Sequence, residues 1–157
     1  MQALTRKFSA APVLVGLVAL VASQMARAAD VPVKGEVLVI LAKEAAGEYD
    51  PKLKQLPALQ KAPFNGFKSM KVLSTTAIEL SADKDVSVSL PNGGTLQLKL
   101  LERMPDGRHK LLVSVNKPGK QGTQVTMIAS GEPFFVGGPS HEGGTLVMGV
   151  RVNSGNK

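Results

Sequence analysis

Val86, Val88 and Leu90 alternate with Ser87 and Ser89, Pro91-Asn92-Gly93-Gly94 follows, and Leu96, Leu98 and Leu100 then alternate again. An apolar residue at every second position lines one face of an extended chain, and an Asn-Gly-Gly run takes the backbone angles that a tight reversal demands. This pattern predicts a β-hairpin, and its recurrence limits the fold more than any other feature. Pro105-Asp106-Gly107 marks a second turn, after which Leu111, Val113 and Val115 share a face between His109 and Asn116. Lys117 to Gly122 reads as a third loop, and Val125, Met127 and Ala129 alternate beyond it. Phe134 to Val136 and Leu146 to Val152 close the chain around the segment Gly137 to Gly144.

Upstream the pattern changes. Glu36 to Ala42 is a continuous apolar run rich in β-branched residues, which predicts a central strand buried on both faces. Asp50-Pro51 supplies an N-cap carboxylate and a first-turn proline, and Leu53, Leu56 and Leu59 follow at spacings of three. They predict a short amphipathic helix, or two turns, because Pro57 lies inside the segment. Met70, Val72, Ile78 and Leu80 fall on one parity, with Ser74 and Thr76 between them, as one long strand or two strands joined near Ser74 to Thr76 would have it. The expected fold is mainly β: an antiparallel β-sandwich or partly closed barrel of seven or eight strands with one short helix. No strand–helix alternation indicates a parallel sheet, and no repeat period indicates a solenoid or propeller.

The first 28 residues carry a different message. Arg6 and Lys7 form a positive start, Ala10 to Ala22 is an apolar run, and Ala26-Arg27-Ala28 matches a small-residue cleavage site. This is the layout of a cleaved secretory signal peptide, with the cut after Ala28 or Ala29. The run is bounded by Ser9 and Ser23-Gln24, shorter than the ~20 apolar residues of a membrane anchor. Arg6-Lys7 is not the arginine pair of a twin-arginine signal. The domain organisation is then 1–28 signal peptide, 29–153 a single β-rich domain, and 154–157 a frayed polar end. With no cysteine in the chain, lipid anchoring, disulfides, thiol nucleophiles and zinc–thiolate sites are excluded, so a core alone must hold the domain together.

Loss of Arg6, Lys7 and Arg27 with the leader reduces the net charge from +7 to +4. The remaining cations are scattered, from Lys34 through Lys71, Lys99 and Arg108 to Arg151, and one Tyr, no Trp and five Phe supply few stacking platforms. Nucleic-acid binding and a typical carbohydrate face lack support.

Gly137, Gly138, Ser140, His141, Glu142, Gly143 and Gly144 are the candidate partner-binding residues. Glycines let backbone amides approach a ligand, and His141-Glu142 is a titratable pair. The structural alternative is a wide hairpin loop. The segment is neither a P-loop nor a dinucleotide fingerprint, since no Gly-Lys-Ser/Thr and no helix follow it. His109, His141 and Glu142 are the only candidate metal ligands, with His109 weakened by neighbouring Arg108 and Lys110. Ser140 lacks a nucleophile elbow, and Glu132 and Glu142 lack the aromatic walls of a glycosidase. No catalytic residue and no cofactor is assigned.

Phe64, Phe67, Phe134 and Phe135 read as core plugs at the two ends of a sandwich rather than an exposed patch. Leu53, Leu56 and Leu59, ringed by Lys52, Lys54 and Lys61, read as a cover over the open end of the sheet rather than a membrane contact. Gly144 to Gly149 resembles a glycine-flanked strand in the β-domain of outer-membrane secretins. The likeness covers six residues, makes no family assignment, and implies at most an envelope-assembly context.

Together these readings predict an exported, non-enzymatic β-sandwich, periplasmic or secreted, acting as an envelope accessory or binding module through protein–protein or surface contacts. The alternatives are a small metal-dependent hydrolase using His109, His141 and Glu142, and a carrier enclosing an apolar small ligand.

Overall fold

In the computed structural model, residues 31–153 are described. The expected signal peptide over 1–28 and the polar end 154–157 lie outside the described residues. Eight strands follow in chain order: β1 Val33–Lys43, β2 Ser69–Leu80, β3 Val86–Ser89, β4 Thr95–Arg103, β5 His109–Lys117, β6 Lys120–Ala129, β7 Phe134–His141 and β8 Gly144–Val152. They form two antiparallel four-stranded sheets, β2-β1-β8-β7 and β3-β4-β5-β6, so the fold is a β-sandwich as the periodicity implied.

Between the sheets lies the main core. Val37, Val39 and Leu41 of β1 and Leu146, Met148, Val150 and Val152 of β8 meet Leu96, Leu98 and Leu100 of β4 and Leu111, Val113 and Val115 of β5. Each set is the alternating row of its strand, which is why a period of two decides the fold. A second apolar cluster covers the outer face of the first sheet, where Ile40, Ala42, Met70, Phe135 and Val147 pack under Leu53 and Leu59. The two clusters explain the unbroken apolar run of β1: Val39 and Leu41 face one core, Ile40 and Ala42 the other.

The segment between β1 and β2 forms that cover. Asp50 accepts a hydrogen bond from the Lys52 amide at 2.9 Å and caps α1, Pro51–Lys54. Pro57 cannot continue an α-helix, and the chain restarts as a 3-10 turn over Pro57–Gln60, with another over Phe64–Gly66. Leu53 and Leu59 are fully buried, each worth about 2 kcal/mol of apolar transfer. The leucine stripe thus covers the outer face of a sheet, not the open end of the sandwich.

Two further expectations need correction. Met70, Val72, Ile78 and Leu80 share a parity but not a face, because β2 is one strand with an extra residue. Val39 pairs with Ser74 and Ile40 with Val72, leaving Leu73 as the bulge. Met70 and Val72 therefore join the outer cluster, while Ile78 and Leu80 join the main core. The phenylalanines do not plug the two ends either. Phe135 and Phe64 meet edge to face at 6.1 Å in the outer cluster, where Phe67 also packs, and Phe134 packs against the main core.

Candidate functional site

At one side of the sandwich, β7 is the last strand of the first sheet and β6 the last strand of the second, and among the described residues neither pairs with another strand there. A groove of about 710 Å³ lies between them. Val115, Val125 and Val136 give it an apolar lining. Lys117, Lys120, Gln121 and Thr123 border it from the second sheet, and Gly137, Gly138, Pro139 and Ser140 from the first.

The expected wide loop from Gly137 to Gly144 is not a loop. β7 continues to His141, and the reversal needs only Glu142 and Gly143, at φ of 45° and 73°. Two consecutive positive φ values match the right-handed twist of paired strands, and glycine adopts the second at no steric cost. Gly144 is already in β8, where a Cβ would come within 2.6 Å of the Ala42 carbonyl oxygen. The extra length is absorbed by a register shift between Gly137 and Ser140. A Cβ at Gly138 would approach the Met148 Cε to 2.8 Å, so the backbone there lies close against the core.

Of the candidate residues, Gly137, Gly138 and Ser140 border the groove. Glu142 and Gly143 make the turn, and Gly144 packs against β1. His141 is partly buried, its Nε2 3.7 Å from the Glu142 carboxylate.

His109 stands elsewhere. It begins β5, paired with Arg103 and Ala129, while the groove lies at the other end of that strand. Ala129 leads into Ser130, whose carbonyl accepts from Val152 at the far end of β8 from the His141–Gly144 pair. His109 and His141 thus occupy opposite ends of the sandwich, and the proposed ligands His109, His141 and Glu142 are not brought together. Among the described residues no group of three His, Cys, Asp or Glu side chains could hold a metal ion. Burial lowers the His109 pKa from its ordinary value, and the charge of Arg103 lowers it further. Its Nδ1 is buried with no hydrogen-bond partner among the described residues, which suits a neutral core histidine. Glu132 and Glu142 flank the whole of β7, at roughly 3.3 Å per residue well beyond the spacing of a glycosidase acid pair.

The β7 side of the groove is among the residues the sequence singles out, and the β6 side is not. The sequence predicts a loop over Lys117 to Gly122, but Pro118-Gly119 alone makes the reversal and β6 starts at Lys120. The signal available was the alternation of Val125, Met127 and Ala129, which extends backwards through Thr123.

Comparison with protein families, with curated proteins and with solved structures finds no match to this chain. No helix of the described residues is long and apolar enough to cross a membrane.

Proposed function

We propose that this chain is a non-enzymatic binding module, exported through its 1–28 leader to a periplasmic or extracellular location, that acts by holding a protein partner at the β6–β7 groove. The observation that carries this reading is the groove itself. It has an apolar lining, and two edge strands with no strand partner on that side among the described residues border it. An open sheet edge offers backbone donors and acceptors to an extended peptide, and neighbouring pockets for alternate side chains add selectivity. The glycine-rich course of β7 supports the same reading, since a Cβ at Gly137 would meet nothing within 4 Å and leaves the edge approachable.

Affinity capture from envelope extract with the mature chain tests this. The wild-type domain retains a partner, and Ser140→Arg, which places a long side chain at the groove from an exposed position, loses it while melting at an unchanged temperature. A wild-type protein that stays monomeric and retains nothing overturns the proposal.

A further inference from the structure

The four sheet edges of this sandwich are not equally guarded. Open edges invite pairing with other chains, and folded proteins blunt them with charges, proline, bulges or short length. The β2 edge carries Lys71, Glu79 and the Leu73 bulge. β3 is only four residues long. β7 holds Pro139, which has no amide hydrogen, within its register shift. β6 confines such devices to its start, where Lys120 and the register shift between Val115 and Lys117 lie: from Gln121 to Ala129 it contains neither charge nor proline, and its register with β5 runs without a break from His109–Ala129 to Val115–Thr123.

The groove beside this edge has a definite charge. Lys117 and Lys120 border it, no carboxylate does, and neither lysine takes part in an ion pair among the described residues. Building on the reading of the groove as a partner site, we propose that β6 is the strand that receives the partner, and that the partner supplies an extended segment with acidic residues at the end nearest Lys117 and Lys120. Added to β6, such a strand extends the second sheet to five strands. Its inward side chains cover Val125 and Met127, which face the core yet are only partly buried. Its carboxylates meet the two lysines. A β6-to-β6 pairing with a second copy of this chain meets the need less well, because β6 contains no acidic residue to offer them.

The test uses short synthetic peptides of alternating valine and threonine with two glutamates at one end or the other, matched peptides with lysines in place of the glutamates, and forms N-methylated at alternate residues. Binding is read by fluorescence anisotropy and by amide hydrogen exchange. A glutamate peptide slows exchange across Gln121 to Ala129, binds about tenfold more tightly than its lysine counterpart at low salt, and loses binding on N-methylation. The Lys117→Gln/Lys120→Gln variant removes the charge preference without changing the melting temperature. Equal binding of the two charge types, protection confined to Phe134–His141, no peptide binding, or a concentration-dependent dimer that protects β6 without peptide each overturns the inference. If the peptides fail while wild type still retains an envelope partner that Ser140→Arg loses, the groove reading stands and the β6 assignment falls.

Discussion

Gly122 donates its backbone amide to the side-chain oxygen of Asn116 at 2.9 Å, and a Cβ at this glycine would collide with the Val115 carbonyl oxygen. The close approach sits where the β5–β6 register shifts between Val115 and Lys117. Asn116 in turn donates from Nδ2 to Gln97 Oε1 at 3.0 Å, tying the corner of the groove to β4.

Gly122→Ala therefore destabilises the domain by about 3 kcal/mol, because backbone rather than a flexible side chain must move. Asn116→Ala costs less, about 1 kcal/mol, since it removes hydrogen bonds without a clash. Urea denaturation of the two variants checks the order. A Gly122→Ala domain as stable as wild type contradicts the packing.

His109 predicts the pH response. Its folded pKa lies below the ordinary value near 6.5, so the unfolded chain takes up a proton first. The stability it contributes is complete above about pH 6.5 and is lost as pH falls toward its folded pKa. Thermal unfolding of wild type and His109→Leu between about pH 7.5 and pH 5 should show a shallower acid decline in the variant. Identical slopes would mean that His109 protonates freely in the fold.

Deleting Leu73 removes the bulge of β2. The strand beyond it then slips by one position, and either Met70 and Val72 or Ile78 and Leu80 turn to the wrong face. The expected loss is about 4 kcal/mol or more, against a few tenths for Leu73→Thr at a side chain 38% exposed. Circular dichroism melts of both variants measure the contrast.

Phe135 anchors the cover of the outer face. Its ring meets Phe64 at 6.1 Å and lies over Gly149, where a Cβ would approach its Cε1 to 2.6 Å. Phe135→Ala should cost about 3 kcal/mol or more. A double-mutant cycle with Phe64→Ala should return about 1 kcal/mol of coupling. Additive effects would show that the ring contact contributes nothing of its own.

Much of this architecture is legible in local pattern. The Val86–Leu100 hairpin, the Asp50-Pro51 helix start and the doubly buried β1 all depend on residues close in the chain, where alternation, capping and turn chemistry act directly. The candidate site was half legible. Gly137, Gly138 and Ser140 border the groove, but Lys117, Lys120 and Thr123 join it only because β6 stacks at the same side of the sandwich as β7. The split of Met70 and Val72 from Ile78 and Leu80 was hidden, because one extra residue reverses a strand's faces without changing its composition.

By itself, then, the sequence determined a cysteine-free β domain of alternating strands, since period-two hydrophobicity buries its apolar rows only where a second layer covers the face of a sheet. The tertiary structure alone decided which edges stay open, that a groove forms between β6 and β7, and that His109 and His141 stand apart. Those properties arise from pairings between segments distant in the chain, and their geometry is set by which strand stacks on which.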